Sequence, residues 1–415
     1  MAAEVAAAKV PGEFRYAAHR DKPWARAFRA VAKRVLGFDP APSDEVVATI
    51  ASQYYDADPL AEAFVEEVYF GRGAAAGRAL LDRAIEGGVA SLGEDAPASL
   101  KALFADIDED PPWLDRELSA LGAKVFRRYG SAIFRFAGAV TLEAYAESSV
   151  AKPLILTGAY AGGSTKHRFL ETVAFWIAVS EPGGLALGAA GRASALRVRI
   201  MHVFVRKRLM AHPEWRLADW GVPISQGDAL LTLMGGSFAP GIAMQAMGYR
   251  PSVREIEAMM HFWRHVGHMM GVRPRWFPKD MKEAFQLAYV TLVKNAGLAG
   301  EDGVALCQSY VNAFAPPEGA GWIDRVHHGV HMGYTRFFMP PWSYKKNRMP
   351  PAGLWALHPL AQFPFIFAAE TLRRQFPSVL EDVADKVARR SRKRWFDRHM
   401  GGRPAEYKPA AHFTR

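Results

Sequence analysis

The stretch Arg197-Val-Arg199-Ile-Met-His202-Val-Phe-Val-Arg206 constrains the chain more than any other, because wound at 3.6 residues per turn it has one face to bury. On that winding Ala195, Val198, His202, Val205 and Leu209 form one stripe, with Arg199 and Arg206 a turn to either side of the imidazole. The stripe is apolar, carries a single histidine at its middle and is flanked by two cations. Haem b asks for that combination: an apolar slot for the macrocycle, a neutral imidazole on iron, and cations near two propionates. The same spacing also suits a core histidine hydrogen-bonded through both nitrogens and edged by solvated arginines. Spacing alone leaves both readings open.

The rest of the chain reads as helix. Ser43-Asp44-Glu45 is a helix start with acids in its first turn, and residues 43–110 carry helical patterning until Glu109-Asp110-Pro111-Pro112 breaks it. Ser252-Val-Arg-Glu255 has the form of a capping box, followed by Met259, Phe262, Trp263, Val266, Met269 and Met270 at helical spacing up to Gly271. Ser378-Val-Leu-Glu381 repeats that signature. Between Pro316 and Pro351 the chain is rich in Pro, Gly and aromatics and reads as an ordered irregular excursion packed on the helices, placed to cover a pocket mouth. No internal repeat and no alternating run between hairpin turns is present, so the expected class is all-α: a single large helical domain with additional helices. Its expected divisions are a basic N-terminal extension (1–42), a helical domain (43–399) and a C-terminal tail (400–415).

Composition narrows the function. With 415 residues, half of them hydrophobic, the chain can bury a large core. Its one cysteine, Cys307, rules out a disulfide framework, and Ala-Leu-Cys-Gln-Ser lacks the glycine-rich surround of a thiolate-ligated haem. No Cys-x-x-Cys-His stands in the sequence, so any haem is held without covalent attachment. Met1 to Val10 lacks the charged-then-apolar order of a secretory signal, and Arg, Lys or Glu is read as interrupting each apolar run before it spans a bilayer. The expected location is cytoplasmic. The net charge of +10 gathers in Arg15 to Arg34 and Arg389 to Arg398 without a nucleic-acid motif, so no nucleic-acid partner is expected. The second segment, with Trp395 and Phe396 among its cations, is the candidate for peripheral contact with anionic lipid.

Upstream, Arg168, Glu171, Thr172 and Phe175 recur at three and four residues and share a helix face, a cation, an acid and a hydroxyl beside an aromatic. Together with Arg197-x-Arg199-x-x-His202-x-x-x-Arg206, Pro223-Ile-Ser-Gln-Gly-Asp228 with Thr232, and Phe262-Trp-Arg-His265-Val-Gly267 with Gly271-Val272, this set resembles the family that includes latex clearing protein (rubber oxygenase) and the MpaB oxygenases. The resemblance runs from about Tyr145 to Val272. It implies a globin-like core and haem b with His202 as the proximal iron ligand. Arg199 and Arg206 then serve the propionates or brace the proximal helix, and His265 is a hydrogen-bonding residue on the haem side. Arg168, Glu171 and Thr172 become the distal face: Arg168 orients oxygen, Thr172 relays a proton, and Glu171 acts as acid or base if burial raises its pKa. The sequence departs from the rubber-cleaving members at two places. Glu171 stands where they have a lysine, and Lys152 falls where they carry a catalytic glutamate.

The implied function is a haem b-dependent oxygenase using O2 to oxidise, or cleave at C=C, a small hydrophobic substrate of isoprenoid type. The alternative from another class is a non-catalytic haem or hydrophobic-ligand carrier or sensor. Two further histidine groups, His261, His265 and His268 at i, i+4 and i+7, and His327, His328 and His331, are candidates for non-haem iron or zinc.

Overall fold

A computed structural model describes residues 9–158, 164–295 and 297–401. Every regular element among the described residues is helical, as the sequence patterning implies. The principal helices are α1 (Pro23–Leu36), α2 (Pro59–Phe64, continued as a π turn over Val65–Phe70), α3 (Ala98–Asp108), α4 (Arg116–Arg128), α5 (Ala132–Ala144), α6 (Ser148–Leu156) and α7 (Ser164–Ser180). They continue with α8 (Ala190–Met210), α9 (Gln226–Gly236), α10 (Val253–Met269), α11 (Met281–Lys294), α12 (Gly300–Phe314), α13 (Trp322–Phe338) and α14 (Pro377–Met400).

The centre is the pair α4 and α10. Their backbones meet at Gly122, where an added Cβ would stand 1.9 Å from the Ala258 carbonyl oxygen, so only glycine lets the helices come this close. Phe126 sits edge-on to Trp263 beside that crossing, with ring centroids 5.2 Å apart. The capping box forms as its spacing implies: the Ser252 hydroxyl accepts from the Glu255 amide, and the Glu255 carboxylate accepts from the Ser252 amide. α7 and α8 make a hairpin whose closed end is Gly191 packed against Ala178 and Val179. Phe14, Tyr16 and Ala25 of the N-terminal segment enter the same continuous core, and of the expected C-terminal tail only Met400 and Gly401 are described.

Four expectations are corrected. The segment between Pro316 and Pro351 is largely helical, with the 17 residues of α13 at its heart and a short helix Pro341–Lys346 after it. Its prolines stand outside helix ends or in a first turn, where the missing N–H costs nothing, so they bracket helices and do not break them. Ser378 is not a cap, because Pro377 already occupies the first turn of α14; Glu381 reaches Arg373 and Lys124 instead. The run Ala229 to Met247 contains no charged residue, and Gln226–Met247 is long and apolar enough to cross a membrane by length and composition. Here it is bent at the non-helical Ser237, and α9 packs on α10. Finally, the lipid-facing role expected of Arg389 to Arg398 does not fit: Trp395 is buried against Phe134, centroids 5.1 Å apart, and Arg392 is buried with its guanidinium donating to the Ser180 hydroxyl at 2.7 Å.

Candidate active site

α8 presents His202 half-buried, between half-buried Val198 and Val205 and beside exposed Met201. Burial, reinforced by the Arg206 charge and opposed by Asp58, holds the imidazole pKa down at about 4, so the ring is neutral near pH 7. It makes no hydrogen bond with any described residue. That separates it from a core histidine satisfied at both nitrogens, and leaves a neutral nitrogen lone pair beside an apolar flank. This donor and its surroundings fit axial ligation of a haem iron.

The two flanking arginines are engaged elsewhere. Arg199 is fully buried and forms a bidentate pair with Asp58 (2.7 and 2.9 Å), its third nitrogen reaching Asp106 at 3.3 Å. Arg206 donates to the Pro223 carbonyl (3.0 Å), the Ile224 carbonyl (2.9 Å) and the Glu62 carboxylate (2.9 Å). Neither guanidinium keeps a free edge for a propionate, so propionate anchoring does not fit their contacts; they brace α8 from both sides of His202. Two backbone features complete the brace. Ile224 is held at φ +53°, and Gly271, at φ +77°, leaves space where a Cβ would stand 2.0 Å from Asp58 Oδ2. Gln226 ties these segments together, donating to the Ala57 and Gly271 carbonyls (2.7 and 3.0 Å) and accepting from the Arg273 amide (2.6 Å). The Pro223 to Asp228 motif thus positions the His202 helix.

Across the hairpin, α7 carries the other expected residues. With Gly191 opposite Ala178 and a rise of about 1.5 Å per residue in both helices, His202 lies level with the turn holding His167 and Arg168. Phe175 is buried, Glu171 half-buried, and Arg168 and Thr172 exposed. Burial raises the Glu171 pKa, against the lowering effects of His167 and Arg168, and its carboxylate lies 3.2 Å from His167 Nε2. The Thr172 hydroxyl donates to the Arg168 carbonyl at 3.2 Å, and the Arg168 guanidinium makes no hydrogen bond or ion pair with a described residue. Lys152 does not join them. On α6 it pairs with Asp302 at 2.7 Å and lies over the Trp220 ring, 5.7 Å from its centroid, so the expected exchange of acid and base within one pocket does not occur.

Five of the six histidines in the two expected metal groups have structural partners. His265 is buried, its Nδ1 2.9 Å from the Ser119 hydroxyl between α4 and α10, so its observed bond is to a neighbouring helix. His261 accepts from the Asp115 amide at 2.9 Å, and His268 Nε2 lies 3.0 Å from the Asp106 carbonyl. His331 stacks on Phe314 with centroids 4.5 Å apart, and His328 bonds the Phe314 carbonyl. Among the described residues no group of three His, Cys, Asp or Glu side chains is placed to hold a metal ion. In the sequence Asp228 stands out only as the end of the Pro223 motif. The structure gives it a buried network with the Ser149 and Ser225 hydroxyls, 2.8 Å each, and burial raises its pKa to about 6.

Known proteins resemble this chain in sequence and in fold. Residues 123–374 match the family described as ER-bound oxygenase mpaB/B'/Rubber oxygenase, catalytic domain. The chain is 25% identical over 202 residues to a rubber oxygenase of Streptomyces sp. (strain K30), a match covering 48% of this chain and 47% of that protein. The match therefore spans about half the length of that curated relative. A solved structure of latex clearing protein in the closed state superposes with a TM-score of 0.62 at 20% identity, covering 81% of this chain and 91% of the other, which is a likeness of fold. With most of the α4-to-α13 core inside the matched span, this chain belongs to the mpaB and rubber oxygenase catalytic-domain family.

Proposed function

We propose that this protein is a haem b-dependent oxygenase acting on a hydrophobic substrate, with His202 as the proximal iron ligand. The observation that carries the reading is His202 itself: a neutral, half-buried imidazole without a hydrogen-bond partner among the described residues, on a helix fixed at both flanks by ion pairs, one buried and one half-buried. Bound haem would supply ferrous iron for dioxygen activation. The chain's own residues do the rest. Arg168 offers an uncommitted guanidinium at the level of His202, suited to hold an anionic oxygen by charge-assisted hydrogen bonds. Thr172, one turn on, holds a hydroxyl that can pass a proton, and Glu171, whose carboxyl burial makes a weaker acid than usual, can release or take one. The apolar flank of Val198, Met201 and Val205 favours an uncharged substrate.

Two residues bear on the substrate. Glu171 in place of lysine, and Lys152 committed to Asp302, remove the charges that the sequence reading associates with polyisoprene cleavage. The substrate proposed here is a smaller isoprenoid-like molecule, oxidised at C=C or at an activated C–H position.

The test is an absorption spectrum of protein from haem-sufficient cells, oxidised and then reduced under carbon monoxide, for wild type and His202→Ala. A Soret band that shifts on reduction and vanishes in the variant supports the assignment; a folded, colourless wild type sinks it. Oxygen uptake with isoprenoid substrates then separates enzyme from carrier. Arg168→Ala and Thr172→Ala should keep the Soret band and lose uptake by roughly a hundredfold or more. Haem-replete wild type without substrate-dependent uptake would favour the carrier.

A further inference from the structure

α1 leaves a row of large apolar side chains in water, longer than the exposed valine row Val379, Val383 and Val387 of α14. Trp24, Phe28, Val31 and Val35 are 46%, 43%, 63% and 77% exposed, and at 100° per residue they fall within an arc of about 60°. Of the helix's residues only Ala25 is buried. The helix is nonetheless firmly held: Phe28 stacks on Tyr289 of α11 with centroids 6.1 Å apart, Arg29 makes two 2.8 Å bonds to Asp39, and Gly37 closes the end at φ +76°. Fixing a row of four large apolar side chains toward solvent forgoes the free energy of burying them fully. A surface of that kind implies something that covers it.

Charge says what. Arg15 to Arg34 holds seven Lys and Arg residues against one acid, Asp21, and α1 itself has no acid. Arg20, Arg29 and Lys33 are paired with Asp21, Asp44 or Asp39, whereas Arg15, Lys22, Arg26 and Arg34 have no carboxylate partner among the described residues. Lys22, Arg26 and Lys33 lie on the side of α1 away from the apolar row, and Arg34 edges it. A narrow apolar row backed by Lys and Arg on a rigid helix is the pattern of a helix lying in the plane of a bilayer surface, apolar side down, cations among the phosphates. A second copy of the chain fits less well, since a two-fold contact would bring the same cations together. Nucleic acid leaves the valines without a role.

We infer that Pro23–Leu36 is a membrane-docking helix that seats this protein on an anionic lipid surface. The site is independent of His202 and of the function proposed for it. Docking needs no cofactor, so its failure and the failure of the oxygenase reading are separately visible.

The full chain should co-sediment with phosphatidylcholine vesicles containing about a third phosphatidylglycerol and stay in solution with phosphatidylcholine alone, and raised salt should weaken the binding. Val31→Asp with Val35→Asp should lower the partition coefficient by at least about tenfold, and Lys22→Glu with Arg26→Glu by about fivefold per residue, each with unchanged far-ultraviolet circular dichroism. Brominated lipid should quench a fluorescence component that Trp24→Phe removes. Absence of binding to either vesicle, binding indifferent to both pairs of substitutions, or a dimer in sedimentation equilibrium that Val31→Asp with Val35→Asp dissolves would each overturn the assignment, the last by giving the face to a second copy.

Discussion

Arg199 shows how little of a site a local motif contains. The sequence marks it as a neighbour of His202, and its spacing suggests a cation for a propionate. Its partners are Asp58, 141 residues away, and Asp106, 93 residues away, and no local pattern links them to it. The one available signal was Asp58-Pro59, an N-cap followed by proline at a helix start, which explains the Asp58 bond to the Ala61 amide but not its salt bridge. His202 was legible because its apolar stripe is local; its missing hydrogen bond was not, since that depends on what the rest of the fold withholds. Asp58→Ala leaves the buried Arg199 without its bidentate partner and should destabilise the protein by about 3–5 kcal/mol in a urea titration. Gly271→Val, forced to φ +77° and into Asp58, should cost a comparable amount, whereas an equal midpoint for wild type and variant would mean the brace is slack.

Helix starts were legible at Ser43 and Ser252, whereas Asp115, Ser225 and Asp280 cap helices in the same way and were not read as caps. Ser43 and Ser252 cap their helices as their spacing implies, and Gly271 ends the reach of α10. Ser252→Ala removes one half of a reciprocal cap and should cost about 1 kcal/mol. Proline misled between 316 and 351, because the residue that breaks a helix from within is also favoured at its first turn, and a sequence pattern does not say on which side of the boundary it falls. Helix pairing was the least legible feature. Nothing in the neighbourhood of Gly122 announces that α10 approaches it within the space of a methyl group. Gly122→Ala should therefore push the two central helices apart and lower stability by about 1–3 kcal/mol, readable as a lower denaturant midpoint with unchanged helical content.

Over the whole molecule, acid should weaken the fold. His265, His268 and His399 are each held by burial at a pKa of about 4, below the 6.5 of an ordinary histidine. Between about pH 6.5 and 4 the unfolded chain takes up protons that the folded chain refuses, so stability is full above that window and falls as pH drops through it. His202, also held at about 4, adds to these histidines; Asp228, raised from 3.8 to about 6, and Glu143 and Glu171, raised by burial, have the opposite sign. The denaturant midpoint should be lower at about pH 5 than at about pH 7, and an unchanged midpoint would contradict the burial of these rings. The brace on α8 also has a bearing on time. Arg199 and Arg206 join the His202 helix to Asp58, Glu62 and Asp106 upstream and to Pro223 and Ile224 downstream, so a nascent chain ending at Met210 has made α8 without the segment that receives Arg206. Contacts of such long sequence separation form late in folding. The imidazole therefore reaches its working position only after the chain has passed Ile224, and any prosthetic group it takes is acquired after that point, not by a chain that has only just made α8.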